Sequence, residues 1–342
     1  MLISQKKILD VLFREKPDII EVDSPYRSAW IGIKAASELD VPIVGFYHSD
    51  YPRAFGRTVR RYAGGFVQRA LSYSVYRYLI NLYSRMSATL VATDRFYSIL
   101  HNMGISPLAR VPLGTDVKVF RPKGDASALK GELGIAEDTK LLLYAGRLAR
   151  EKNVRSLLEM MRILSGQKDL KLHLLMVGDG EQRKLVSRFS RDMGSVTLYP
   201  YCRDSGRLAE LFSAADLVVH PGTSETFGLV CLEAQACGAR VLAVRGGGLE
   251  EALRGERRPV LAEGATGPLL AEAVKKCLAL GERDAERRER RRRIVKEYSI
   301  DNTFDTLRRL YDYLCRQHAE GREIREEELN ELHNPAVFGR RP

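Results

Sequence analysis

Glu225 and Glu233 stand eight residues apart in HPGTSETFGLVCLEAQACG, His220 to Gly238. A carboxylate pair suits a diol, because each oxygen accepts a hydroxyl donor. An apolar run ends at His220, a loop of small residues (Gly222, Thr223, Ser224) follows, and Glu225 precedes a glycine-started helix. The backbone N–H groups of Phe227, Gly228 and Leu229 fall at that helix start, where they lack intrahelical acceptors and can hold an anion or a hydroxyl network. The small and apolar neighbours of Glu233 in CLEAQACG predict close helix packing, against the plainer reading of a solvent-facing side chain.

Four further segments join an apolar run to a turn. AGRLAREKN, Ala145 to Asn153, offers a strand end at Gly146, two cations in Arg147 and Lys152, and a helix start. A diphosphate is held by such features; a charged loop with local ion pairs through Glu151 is the alternative. LLMVGDGEQRKL, Leu174 to Leu185, runs into Gly178 and Gly180, which let backbone approach either a ligand or packed chain. FYHSDYP, Phe46 to Pro52, puts His48 directly after a strand, where an imidazole can donate to a sugar hydroxyl or phosphate, or merely pack. RGGGLEEAL, Arg245 to Leu253, sets three glycines after another strand; they line the same crevice or form a plain turn.

The elements that must carry these residues alternate, short β-branched runs with helical stretches, as in parallel α/β domains. The first part holds four strands, at Ile19–Val22, Pro42–Tyr47, Ala88–Thr93 and Ala109–Gly114. The second holds five, at Leu141–Gly146, Lys171–Gly178, Ser195–Pro200, Leu217–Gly222 and Ala239–Val244. The expected division is a partial N-terminal domain over 1–122, a linker over 123–138, a second domain over 139–296, a returning helix over 297–318 and a loosely attached charged tail over 319–342. No glycine turn or strand precedes Ile19, which leaves the first strand as an open apolar edge.

With 342 residues, 29% charged and 44% hydrophobic, the composition is that of a globular chain. The sequence has no apolar run of transmembrane length and no signal-peptide pattern. Five cysteines without CxxC spacing argue against a disulfide framework or zinc site and fit a cytoplasmic setting. The net charge of +11 concentrates between Asp50 and Asp94, where seven arginines interleave with aromatic rings and no acid occurs. That pattern fits peripheral contact with an anionic membrane at its inner face, or an internal helix pair with a wet basic face. Nucleic acid is not expected, because no helix-turn-helix, zinc or RNA-recognition signature accompanies the charge. A second basic run, Glu286 to Lys296, reads as a solvated helix face.

Taken together, VPLGTDVKVFRP (Val111 to Pro122), LLYAGRLAREKN, LLMVGDGEQRKL and LFSAADLVVHPGTSETFGLVCLEAQACGARVLA (Leu211 to Ala243) resemble the retaining glycosyltransferases of family four. The resemblance runs from Ile19 to about Ala252 and implies a GT-B fold, two Rossmann-like doubly wound domains facing a cleft. It implies a nucleoside-diphosphate sugar, GDP- or UDP-linked, as donor, no metal or other cofactor, and a lipid, lipid-linked or glycan hydroxyl as acceptor. Arg147 and Lys152 would clamp the diphosphate, Glu233 the ribose hydroxyls, and Glu225 the donor sugar beside the backbone of Phe227, Gly228 and Leu229. Gly146 and Gly178 would line the nucleotide, His48 would touch the sugar near the reacting centre, and Gly114 and Asp116 would lead toward the hinge. Transfer with retention by front-side attack follows from the likeness.

Two departures go with it: the family's opening strand and glycine turn have no counterpart here, and RGERRPVLAEGATGPLLAEAV lacks the family's glycine-leucine-valine and aspartate cap. They predict an N-terminal domain incomplete in this chain, its remainder encoded upstream, supplied by another chain, or lost in an inactive relative. A non-catalytic nucleotide-sugar-binding subunit is the alternative function.

Overall fold

Apolar runs too short to be helices, bounded by glycine and proline, become the strands of two parallel sheets in a computed structural model that describes residues 5–49, 51, 73–167, 169–223, 225–246 and 248–332. The chain divides into two compact units, one of Met1–Pro112 with Asn302–Pro342, the other of Leu113–Asp301.

The first unit runs α1 (Gln5–Glu15), β1 (Ile20–Val22), α2 (Arg27–Leu39), β2 (Ile43–Tyr47), α3 (described over 73–83), β3 (Ala88–Val91), α4 (Asp94–Asn102) and β4 (Leu108–Arg110). Its sheet is ordered β1-β2-β3-β4, all parallel, with β1 at one edge. Gly32 lets α2 lie close on β1: a Cβ there would stand 2.8 Å from Val22 Cγ1. Thr93 caps α4, its hydroxyl accepting from Phe96 N at 3.2 Å. Most of the arginine-aromatic segment, residues 52–72, lies outside the described residues.

The second unit runs α5 (Ala126–Glu132), β5 (Lys140–Ala145), a 3-10 turn (Arg150–Lys152), α6 (Val154–Ser165), β6 (Leu172–Val177), α7 (Arg183–Asp192), β7 (Val196–Tyr199), α8 (Ser205–Ala214), β8 (Leu217–His220), α9 (Leu229–Ala236), β9 (Val241–Val244), α10 (Gly248–Ala252), β10 (Val260–Ala262), α11 (Gly267–Ala279) and α12 (Asp284–Glu297). The sheet order is β10-β9-β8-β5-β6-β7, again parallel. β6, β8 and β9 are buried along their whole length, which is why they read as unbroken apolar runs rather than alternating ones. The chain enters at β5, winds outward to β7, then returns to β8 on the other side of β5. The switch point of this doubly wound sheet therefore lies between β5 and β8, whose register pairs Leu142 with Leu217 and Leu143 with Val218. Ligands of open α/β sheets bind outside the strand ends at such a point.

The chain then forms α13 (Ile300–Ala319) and α14 (Glu326–Glu331). In the first unit α13 reaches the β1 side, where Tyr311 donates to Glu21 and His318 Nε2 lies 2.9 Å from Asp40 O. Where the sequence suggested a loose tail, α14 covers β4. Glu326 accepts from Tyr97, from Ser106 Oγ at 2.8 Å and from Leu108 N at 2.9 Å. Residues 333–342 lie outside the described residues. Thr115, beside Gly114, exchanges backbone hydrogen bonds with Tyr298 O and Ile300 N, both 2.9 Å.

Two expectations need correction. The second sheet has six strands, not five; β10 escaped because three residues between RGERRP and EGAT carry almost no periodic signal. The basic run in α12 is a solvated face only in part: Arg288, Arg292 and Lys296 are exposed, but other arginines of the run turn inward. Arg290 is 2% exposed and forms a bidentate contact with Glu256 at 2.9–3.1 Å, an ion pair with Glu282 at 2.8 Å and a bond to Gly238 O at 2.8 Å. Arg291 donates to Phe120 O and Ala236 O, and Arg293 to Gln235 and Ala252 O. The arginines staple α12 onto α9 and its flanking loops. Among the described residues no helix is long and apolar enough to cross a membrane.

Candidate active site

At the switch point the two strand exits meet. β5 ends in Gly146 at φ 153° and Arg147, and the 3-10 turn brings in Lys152. Asn153 follows in the left-handed region at φ 54°, and its amide donates to Pro221 O at 2.8 Å. That bond fastens the Lys152 turn to the exit of β8. Lys152 Nζ then contacts Glu225 Oε1 directly; both side chains are less than one-fifth exposed, at 19% and 18%.

His220, the last residue of β8, sits behind this pair with its side chain 4% exposed and Nε2 3.5 Å from Glu225 Oε1. Its Nδ1 accepts from Gly222 N at 3.3 Å, which leaves the ring proton on Nε2, facing Glu225. Burial, helped by the Lys152 charge and opposed by Glu225, pushes the imidazole down to about 4. The ring is therefore neutral over the physiological range. Tyr144 of β5 packs against it with centroids 5.6 Å apart, and the Tyr144 hydroxyl donates to Arg147 O at 2.9 Å. Burial and the nearby Glu225 charge raise that phenol well above its ordinary value.

Arg147 is 66% exposed and bonds Glu151 at 2.6 Å, so the local ion pair foreseen as an alternative is present. Its charge also stands at the switch point, one residue past Gly146. Glu233 lies in α9, half-buried, and burial alone raises its carboxyl to about 7. Among the described residues its side chain has no hydrogen-bond or ion-pair partner. α9 starts as expected: Gly228 is its cap, at φ 87°, and a Cβ there would stand 2.4 Å from Leu249 Cδ2. Leu229 is exposed, whereas the Phe227 ring is buried near Tyr298. Gly248 packs beneath the Glu225 strand of chain, where a Cβ would meet Glu225 O at 2.4 Å. Gly248 thus supports the Glu225 loop.

The remaining calls fall elsewhere. Gly178 has φ 150°, and a Cβ there would stand 2.0 Å from Gly146 O, so packed backbone accounts for this glycine. Gly180 is tied to Leu148 O in the same way, at 2.6 Å. His48 belongs to the first unit, at the end of β2, with Nε2 3.3 Å from Asp23 Oδ1 and its ring stacked on Phe46 at 4.3 Å. Reading by motif missed His220, Asn153 and Tyr144. The signal for His220 was present: a polar residue closing the apolar strand LVVH, directly before Pro-Gly.

At the switch point a cation, a neutral N–H donor and a carboxylate meet, groups whose chemistry suits an anion or a hydroxyl. Comparison with known proteins gives the family. Residues 125–297 match the family described as glycosyl transferases group 1, and residues 1–119 the family described as Glycosyltransferase Family 4. The GDP-mannose-dependent alpha-mannosyltransferase of Corynebacterium glutamicum is 29% identical over 245 residues, 70% of this chain and 54% of that protein. The D-inositol 3-phosphate glycosyltransferase 1 of Catenulispora acidiphila is 34% identical over 210 residues, 55% of this chain and 50% of that protein. The chain thus spans about half the length of these curated relatives. Among solved structures, sucrose-phosphate synthase from Thermosynechococcus elongatus superposes with a TM-score of 0.69 at 24% identity, over 92% of this chain and 80% of that one. Anabaena HepE in complex with UDP does so with a TM-score of 0.68 at 19% identity, over 93% and 81%. Both likenesses concern the fold, which is GT-B. With one family profile covering half of its length and a second covering the N-terminal third, the chain belongs to the group 1 glycosyl transferases.

Proposed function

We propose that the chain transfers a hexose of the mannose or glucose type from a GDP- or UDP-linked donor to a lipid, lipid-linked or glycan hydroxyl, with retention of configuration. The observation that carries this reading is the Lys152–Glu225 contact at the switch point, with Arg147 on the same β5 exit as Lys152. In the proposed reaction the bond from the sugar C1 to the diphosphate breaks and a bond from C1 to the acceptor oxygen forms on the same face. The acceptor proton passes to the departing phosphate oxygen. Arg147 and Lys152 stabilise the charge that grows there, a contribution of about 2.7–4 kcal/mol per preorganised donor. Glu225 holds sugar hydroxyls and Glu233 the ribose diol, while the N–H groups at the start of α9 meet the polar edge of the donor. His48 contacts the donor sugar.

Support for the donor class comes from the relatives. The Corynebacterium protein is named for GDP-mannose, and HepE has been solved with UDP and with UDP-glucose. Support for an anionic acceptor surface comes from the arginines and rings between Asp50 and Asp94, which would bring the protein to the inner face of the cytoplasmic membrane.

The test is release of nucleoside diphosphate from GDP-mannose and UDP-glucose by the full chain, with glycan and lipid acceptors, and NMR of the new anomeric centre. Donor binding without any diphosphate release would reduce the protein to a binding subunit, and an inverted centre would contradict the mechanism. Equal sedimentation with anionic and neutral vesicles would remove the membrane contact.

A further inference from the structure

Glu225 Oε1 has two neighbours that can donate to it, Lys152 Nζ and His220 Nε2, whereas Oε2 has no partner among the described residues. The two donors differ in what a ligand does to them. Lys152 is a flexible cation beside the place assigned to the diphosphate, and a phosphate competes for it. His220 is a rigid ring at a strand end, fixed by Gly222 N on one nitrogen and packed by Tyr144 on its face. At 3.5 Å its N–H stands just beyond hydrogen-bond range of that oxygen while Lys152 occupies it.

We propose that His220 is the positioning residue for Glu225. It keeps the carboxylate oriented, with Oε2 presented to the donor sugar, when Lys152 turns to the diphosphate. This rests on the glycosyl-transfer reading above. The surroundings fit the role. The imidazole is neutral, so it adds no charge to compete with Lys152 for the phosphate, and it keeps its Nε2 proton because Nδ1 is already used as an acceptor. Gly222 permits the geometry: a Cβ there would stand 2.9 Å from His220 Cε1.

Two substitutions separate positioning from packing. His220→Asn can still accept from Gly222 N but is too short to donate to Glu225. His220→Gln places its amide N–H near the Nε2 position and loses the Gly222 contact. For each, GDP and UDP affinity is measured by calorimetry, and kcat and KM with the donor that the wild type turns over. The expected result is a kcat lowered about tenfold or more in His220→Asn, the scale of one hydrogen bond to a charged group. The nucleoside-diphosphate Kd should stay within about twofold, and His220→Gln should recover most of the lost kcat. A packing role would lower both variants alike and show in their thermal midpoints. Normal kcat in His220→Asn, or equal losses in the two variants, overturns this proposal alone. A wild type that binds neither GDP nor UDP overturns the site reading and this proposal together.

Discussion

Two clusters of the second unit join basic side chains to carboxylates, and they differ in how completely the charges are used. Around Arg290 the contacts are dense: Glu256 holds it bidentately, Glu282 adds a second carboxylate and Gly238 O a third acceptor, with the side chain 2% exposed, although Glu282 Oε1 and Arg293 Nε beside it make no hydrogen bond. Around Lys152 the account stays open. Glu225 uses one oxygen for both neighbours and leaves the other unpartnered among the described residues, and Glu233 nearby is half-buried with its carboxyl raised to about 7. The closed cluster, gathered around one buried guanidinium, serves to hold α12 on α9. An open one keeps acceptors and cations in reserve at a strand exit. Position at a strand exit, together with a carboxylate oxygen left unpartnered among the described residues, separates the candidate site from the structural arginines.

The comparison breaks if the closed cluster proves dispensable. Arg290→Ala strands Glu256 and Glu282 in a buried setting and should cost about 3–5 kcal/mol of stability. Urea unfolding reads the loss, and nucleoside-diphosphate affinity of the folded fraction should not change. A stability loss below about 1 kcal/mol would place Arg290 among ordinary surface charges.

The opposite profile is expected of the open cluster. Lys152→Ala should lower kcat about 10²–10³-fold, the cost of deleting a preorganised charge donor, with a stability loss well short of that of Arg290→Ala. Should turnover survive while the fold collapses, the two clusters would have exchanged roles.

Glu233 sharpens the contrast through pH. Its folded value, about 7, lies above the ordinary carboxylate value of 4.5 because burial disfavours the anion. The protonated form favours the fold, so this contribution is complete below pH 4.5 and fades as pH rises to about 7. Relative to Glu233→Gln, the wild type should lose up to about 3 kcal/mol across that window. Parallel stability curves for the two proteins would show that the carboxyl is not held away from water.

Much of this was legible in residue order. The five apolar runs of the second unit and the turn residues after them set strand exits at Gly146, Gly178 and Gly222, the last lying two residues past the observed end of β8 at His220, because strands buried on both faces leave unbroken apolar stretches. The pairing of Lys152 with the Glu225 loop was not legible, since it depends on β8 returning beside β5 and on the Asn153 amide reaching Pro221 O. Two readings of Gly178 were open in the sequence, and the packed-chain one has its physical basis in the Gly146 carbonyl 2.0 Å from a Cβ position. The arginines of α12 misled because their partners, Glu256 and backbone carbonyls around Gly238, sit on loops distant in sequence.

A crystal structure of the full chain with GDP or UDP tests the central claim most directly. The account predicts the diphosphate at the exit of β5 and β8, its oxygens within hydrogen-bond reach of Arg147 and Lys152, and the ribose on Glu233. A diphosphate bound away from that switch point, with the Lys152–Glu225 contact undisturbed, would contradict it.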